Sequence, residues 1–155
     1  MLNRYRDVFR CLNAHDVRYL VIGGIAALVH GVPRMTLDLD ILIEATQENA
    51  QRLLDAFLEA GLGTAALTTA DGLLALEITI FKDRVRIDVQ TRSPGLVFAD
   101  AWARRDVIEH EGHEVYVVSR EDLIASKLAA GRDIDLEDVR LLRLADEDEG
   151  ADESA

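Results

Sequence analysis

The chain has 155 residues, of which 49% are hydrophobic, and a formal net charge of −12. That length suits one globular domain with a core of its own, and no run reaches the about 18 to 20 apolar residues of a membrane helix. Six acids fall in the last ten residues, leaving 23 acids against 17 bases elsewhere, a poor footprint for extended duplex nucleic acid. One cysteine, Cys11, rules out an internal disulfide, and residues 1–16 carry scattered charges without an apolar signal core. The expected location is the cytoplasm.

Tyr5, Val8, Phe9 and Leu12 recur at helical spacing, which predicts a helix over residues 3–14. Residues 18–22 read as a buried strand ending at Gly23-Gly24, and 25–30 as a short helix. Residues 37–44 alternate, with Asp38 and Asp40 on one face and Leu37, Leu39 and Ile41 on the other. A helix over 46–60 follows, with Thr46 as its N-cap and Gly61 at its stop. Residues 74–81 and 84–90 read as two strands of a hairpin joined at the Lys-Asp-Arg turn. A short helix is expected over 95–103, then a second hairpin around Glu111-Gly112. Ser119 caps a helix over 120–130 with Asp122 at its third position, Gly131 breaks it, and a last helix runs from about 134 to 145. The order predicts an α/β (α+β) fold: one domain over 1–145, a mixed β-sheet flanked by helices. Residues 146–155 are expected to be a disordered, solubilising acidic tail, the alternative being a docking tail for a basic partner.

Two aspartates on one strand face lie about 6 to 7 Å apart and repel unless a positive charge sits between them. Carboxylate oxygens suit Mg²⁺, which takes one or two protein carboxylates and fills its other positions with water and phosphate. The plainer reading is a solvated edge-strand face. Two further features bear on the choice. Asp88 is a lone acid in the β-type run "VRIDVQ" and could join Asp38 and Asp40, and three acids can hold two Mg²⁺ about 3.5 to 4 Å apart. Gly23-Gly24 ends a strand and opens a helix, where the bare backbone approaches a ligand closely and N–H groups bind phosphate. Thirteen residues separate Gly24 from Asp38, enough for a helix and a return to the neighbouring strand.

The set Ile22-Gly23-Gly24, Asp38-Leu39-Asp40-Ile41 and Ile87-Asp88-Val89 resembles the signature of the polymerase β-like nucleotidyltransferase superfamily. The spacing is at the long end of that family's range. "GGIAALVHGVPRMTLDLDILIE" and "DLIASKLAAGRDIDLEDVRLL" look closer still to a small bacterial branch that includes abortive-infection and toxin–antitoxin nucleotidyltransferases. The resemblance covers roughly residues 16–142. It implies a mixed sheet with flanking helices, two Mg²⁺ (or Mn²⁺) on Asp38, Asp40 and Asp88, and a nucleoside triphosphate held at Gly23-Gly24. An acceptor oxygen attacks the α-phosphate in line and pyrophosphate leaves, with Asp88 a candidate base. The second glycine stands where active members often carry Ser. The helical domain that larger relatives use to hold their acceptor is not seen in this sequence. The acceptor site is then expected from the C-terminal helices, a partner chain or a homo-oligomer.

Other polar residues are weighed against structural roles. Arg34 and Thr36, just before the Asp strand, are candidate phosphate contacts. Lys127, within the apolar "LIASKLAA", is a candidate triphosphate contact or a snorkelling side chain. Arg132, Asp135 and Asp138 read as an ion-pair network bracing the last helix. His30 caps its short helix or faces the nucleotide. His110 and His113 read as hairpin residues rather than metal ligands. The expected activity is transfer of a nucleoside monophosphate from an NTP to a hydroxyl of a protein, a tRNA or other RNA, or a small molecule. A defence or toxin–antitoxin role, with an operon partner protein, follows by analogy alone. The rival is an inactive module of the same fold that binds a nucleotide or neutralises a partner.

Overall fold

The computed structural model describes residues 2–35 and 38–154, with side chains described through residue 149. A 3₁₀ turn over Leu2–Tyr5 leads into α1 (Arg6–Ala14), which buries Val8, Phe9, Cys11 and Leu12. Strand β1 (Tyr19–Ile22) is buried throughout and passes directly into α2 (Gly23–Val29). Then come β2 (Leu39–Ile43) and α3 (Gln47–Glu59). The Thr46 hydroxyl accepts from the Asn49 N–H, and Gly61 turns the chain away at a φ of +85°. The Glu111-Gly112 turn joins β5 (Asp106–His110) to β6 (His113–Val117) with positive φ at both residues, as a tight two-residue hairpin requires. Ser119 caps α6 (Arg120–Ala130) by accepting from the Asp122 N–H, and Gly131 ends it in the left-handed region.

Six strands form one mixed sheet in the order β3-β4-β2-β1-β6-β5. Here β3 is Ile78–Lys82 and β4 is Arg86–Gln90. β1 runs antiparallel to β2 and parallel to β6, and β2 runs parallel to β4. Leu39, Ile41, Ile87 and Val89 are buried on one face. Phe57 of α3 covers that face, meeting Phe81 of β3 edge-on with ring centroids 5.1 Å apart. Asp40 and Asp88 alternate with these residues and so point to the opposite face.

Five elements differ from the sequence expectation. Residues 70–74 form α4 (Ala70–Leu74), so Leu74 ends a helix and does not start the strand expected over 74–81; the Thr69 hydroxyl accepts from the Gly72 N–H, and Ala70 and Leu73 are buried. Strand β3 therefore begins only at Ile78. Helix α5 (Phe98–Ala103) begins later than residue 95, since Gly95 holds a φ of +74° in the preceding loop. Asp38 lies just ahead of β2 rather than inside it. The last helix, α7 (Asp133–Ser154), does not stop near 145. Residues 146–154 of the acidic stretch continue the helix, and Arg120 contacts it there. The nearly buried Arg120 guanidinium donates to Asp146 at 2.8 Å and to Glu149 at 2.9 Å, acids three apart on one helix face.

Candidate active site

Asp40 and Asp88 are direct register partners on the parallel strands β2 and β4. Across the other edge of β2, Asp40 pairs with Ile22, the last residue before Gly23. Gly23 has a φ of +68°, and a Cβ there would run into the Asp40 carboxylate, standing 2.9 Å from its Cγ. The missing side chain is thus what lets the carboxylate rest against the strand-to-helix turn. Asp38 approaches from the segment before β2 with its side chain half exposed.

The three carboxylates repel one another. Burial, then the neighbouring Asp88 charge and hydrogen bond, then Asp38, push the Asp40 carboxyl up to about 7. Arg86 supplies local countercharge. Its Nε is 3.1 Å from Asp88 Oδ1 and 3.9 Å from Asp38 Oδ2. Among the described residues, no three His, Cys, Asp or Glu side chains converge closely enough, as placed, to grip a metal ion. The donor chemistry nevertheless fits a hard cation: carboxylate oxygens alone, enough negative charge to hold a guanidinium, and a carboxyl that yields its proton near neutrality. Closing three carboxylates on an ion requires the Arg86 guanidinium to give way.

The opposite wall comes from α6 and α7. Lys127 is buried, and its Nζ donates to Asp138 at 2.7 Å and stands 3.8 Å from Asp135. Arg34 reaches the same Asp138 oxygen at 3.1 Å, and Arg132 donates to Asp135 at 2.7 Å. The Arg132 hydrogen bond holds the Asp135 carboxyl below its ordinary range. The expected network of Arg132, Asp135 and Asp138 thus extends to Lys127 and Arg34. A cleft of about 480 Å³ lies between the walls, lined by Gly23, Gly24, Asp38, Asp40 and Asp88 on one side and Arg34, Lys127, Arg132 and Asp135 on the other. Every sequence-predicted site residue except Thr36 lines it, and Thr36 lies outside the described residues.

A second cleft of about 400 Å³ shares Gly23, Asp40, Lys127, Arg132 and Asp135 with the first and runs on to Gln90, Ser93 and Ser126. His30 lines neither. Its Nε2 lies 2.7 Å from the Val118 carbonyl oxygen, to which it donates, so it ties α2 to the end of β6. His110 and His113 are register partners across the second hairpin.

Residues 5–148 match the model of a protein family described as nucleotidyltransferases of unknown function (DUF6036). The chain belongs to that family. No curated protein sequence matches it. Among solved structures it is similar to a candidate nucleotidyltransferase from Thermotoga maritima, at a TM-score of 0.58 and 17% identity, covering 90% of this chain and 89% of that one. It is also similar to an antigenic nucleotidyltransferase-like protein from Paracoccidioides brasiliensis, at a TM-score of 0.53 and 14% identity, covering 90% and 74%. At these identities the two structures show the fold, which is the mixed-sheet α/β nucleotidyltransferase fold. No helix among the described residues is long and apolar enough to cross a membrane.

Sequence reasoning missed Arg86 and Gln90. Both flank Asp88 at a spacing of two, so the period that placed Asp88 on the site face places them there too.

Proposed function

We propose that this family member is a cytoplasmic, Mg²⁺-dependent nucleotidyltransferase that moves a nucleoside monophosphate from an NTP to a hydroxyl of a protein, RNA or small-molecule acceptor. The observation that carries the reading is the in-register Asp40–Asp88 pair set against Gly23 in one cleft, facing a cationic wall. Asp38, Asp40 and Asp88 would hold the ions. Bound Mg²⁺ would supply charge neutralisation for the triphosphate and acidify the acceptor hydroxyl. Gly23 and Gly24 leave backbone open to the phosphates, and Arg34, Lys127 and Arg132 give the facing wall its positive charge. In the transfer, the acceptor oxygen bonds to the α-phosphorus as the α–β bridging P–O bond breaks. The hydroxyl proton passes to Asp88, and pyrophosphate takes the electron pair. The defence or toxin–antitoxin setting, with an operon partner, stays an analogy to the branch that the chain resembles.

Calorimetric titration of each NTP, with Mg²⁺ and then with EDTA, tests the reading. The expected result is Mg²⁺-dependent binding that Asp40→Asn and Asp88→Asn abolish, followed by labelled transfer once an acceptor is supplied. Absence of binding in every condition overturns it. Mg²⁺-dependent binding without turnover against candidate acceptors favours the inactive-module reading, which is also the one favoured by the engagement of both Lys127 and Arg34 with Asp138.

A further inference from the structure

We infer that the second cleft takes the nucleoside portion of the nucleotide, and that Gln90 is the side chain that reads its base. The inference rests on the nucleotidyltransferase reading and adds what that reading leaves open, namely where the base lies and what selects it.

Strand β4 presents Arg86, Asp88 and Gln90 to one face in succession. Gln90 lies two strand rises beyond Asp88, about 6.6 Å, a step of the size that a ribose spans between an α-phosphate and its base. The two clefts share Gly23, Asp40 and Lys127, which puts the second directly beside the proposed phosphate site. The chemistry changes along that path. The first cleft is lined mainly by charged groups. Past the shared residues, the second is lined by Ile78, Leu96, Leu123 and the uncharged Gln90, Ser93 and Ser126. An apolar stretch with a few convergent polar groups, at one end of a cleft of about 400 Å³ in all, is the usual make-up of a small-molecule subsite.

Three details suit a nucleoside. Gln90 lines the second cleft, and its carboxamide can both donate to and accept from the edge of a base. Ile78 is its register partner on the edge strand and leaves 49% of its surface uncovered, a platform for one face of a ring. The Ser93 and Ser126 hydroxyls lie 3.2 Å apart, and whichever one accepts keeps its own O–H for a ribose oxygen. The slot is also held in shape. Gly95 sits so close to α6 that a Cβ would stand 2.7 Å from the Ala125 carbonyl oxygen, which pins the loop carrying Ser93 to the helix carrying Ser126.

The test compares Mg²⁺-tripolyphosphate with the four Mg²⁺-NTPs by calorimetry on wild type, Gln90→Ala and Ser126→Phe, each checked for an unchanged thermal midpoint. Wild type is expected to bind its preferred NTP more tightly than tripolyphosphate and to rank the four bases. Gln90→Ala should weaken the preferred NTP about tenfold and flatten the ranking, because a bidentate contact is lost. Ser126→Phe should bring NTP affinity down to that of tripolyphosphate and leave tripolyphosphate unaffected. If Ser126→Phe does not fold, Gln90→Ala decides alone. The inference is overturned if wild type binds NTPs no better than tripolyphosphate, or if Gln90→Ala keeps the full ranking. It is equally overturned if Ser126→Phe blocks transfer without touching NTP affinity, which would make the cleft an acceptor site. Wild type that binds neither ligand with Mg²⁺ refutes the metal and phosphate site itself, a separate failure.

Discussion

The Nε of Arg86 donates to Oδ1 of Asp88 at 3.1 Å from two residues away on the same strand face. It also stands 3.9 Å from Asp38, so one guanidinium bridges two of the three carboxylates. A cation at that position and a divalent ion compete for the same oxygens. Arg86→Gln is therefore expected to lower the thermal midpoint of the metal-free protein at pH 8, where the carboxylates lose their countercharge. It should also enlarge the rise in midpoint that Mg²⁺ produces. Scanning fluorimetry with and without Mg²⁺ reads both. An Mg²⁺ response smaller than that of wild type would mean that Arg86 helps to build the ion site instead of standing in for the ion.

Asp40 gives this site its pH dependence. The groups around it are Asp88, Asp38 and Arg86, with Lys127 on the facing wall of the cleft. Burial and the two acids favour the neutral carboxyl in the folded chain, which keeps its proton up to about pH 7, against 3.8 ordinarily. The folded state binds more protons than the unfolded state between those values. The stability contributed by this group is therefore complete below 3.8 and is lost as the pH rises through about 7. Asp40→Asn cannot ionise, so metal-free Asp40→Asn should become steadily more stable than wild type across that window and gain nothing further above it. With Mg²⁺ present, wild type should be stabilised more at pH 8 than at pH 6, because the proton competes with the ion. Urea melts at several pH values check both statements, and a variant whose advantage shrinks with rising pH would contradict the assignment.

Lys127 carries two roles that can be separated. It is buried against Asp138, and removing one partner of such a pair leaves an uncompensated charge, a loss of about 3 to 5 kcal/mol. Lys127→Met should cost that much, reduced to the extent that Arg34 still neutralises Asp138 from 3.1 Å. Lys127→Met with Asp138→Leu should recover most of the stability. If Lys127 also contacts phosphate, the double variant will be stable and still bind Mg²⁺-tripolyphosphate poorly. Full binding by the stable double variant would confine Lys127 to bracing α7. Denaturant melts paired with calorimetry distinguish the two.

What was legible in the sequence follows the range of the interactions involved. Gly23-Gly24 marks a strand-to-helix turn locally, and Asp40 and Asp88 are each set by period-2 alternation on the strand face away from the core, without knowledge of the rest of the fold. The Glu111-Gly112 turn and the Ser119 cap are equally local. The partners of Lys127 were not legible, because Asp138 lies on the next helix and only tertiary packing brings the two together. Arg120 and the acidic tail are the same case at a separation of 26 residues. Composition names no partner for those acids, and only the fold brings Arg120 to Asp146 and Glu149. The stretch "LALEITIF" misled for another reason. Its alternation belongs to β3 only from Ile78 onward; Leu74 ends α4 and residues 75–77 form the turn between the two.

Gly23 and Gly24 are neighbours with different duties. Gly23 holds a φ of +68° and faces Asp40, whereas Gly24 is outside the positive-φ set and inside the first turn of α2. A residue with a Cβ in the left-handed region costs about 1 to 2 kcal/mol before any clash is counted. At Gly23 the clash adds to this, since the new Cβ would displace the Asp40 carboxylate from the turn. Gly23→Ala is therefore expected to lose more than the backbone term alone and to lose its Mg²⁺-dependent stabilisation with it. Gly24→Ala has no such backbone strain, and it adds a methyl group to a residue that lines the cleft where phosphates are proposed to lie. It should melt close to wild type, keep the Mg²⁺ response, and bind tripolyphosphate weakly. Denaturation and calorimetry on the two variants check the division. The reverse pattern, with Gly24→Ala unstable and Gly23→Ala tolerated, would show that the close approach of Asp40 to the turn is not what holds the carboxylate in place.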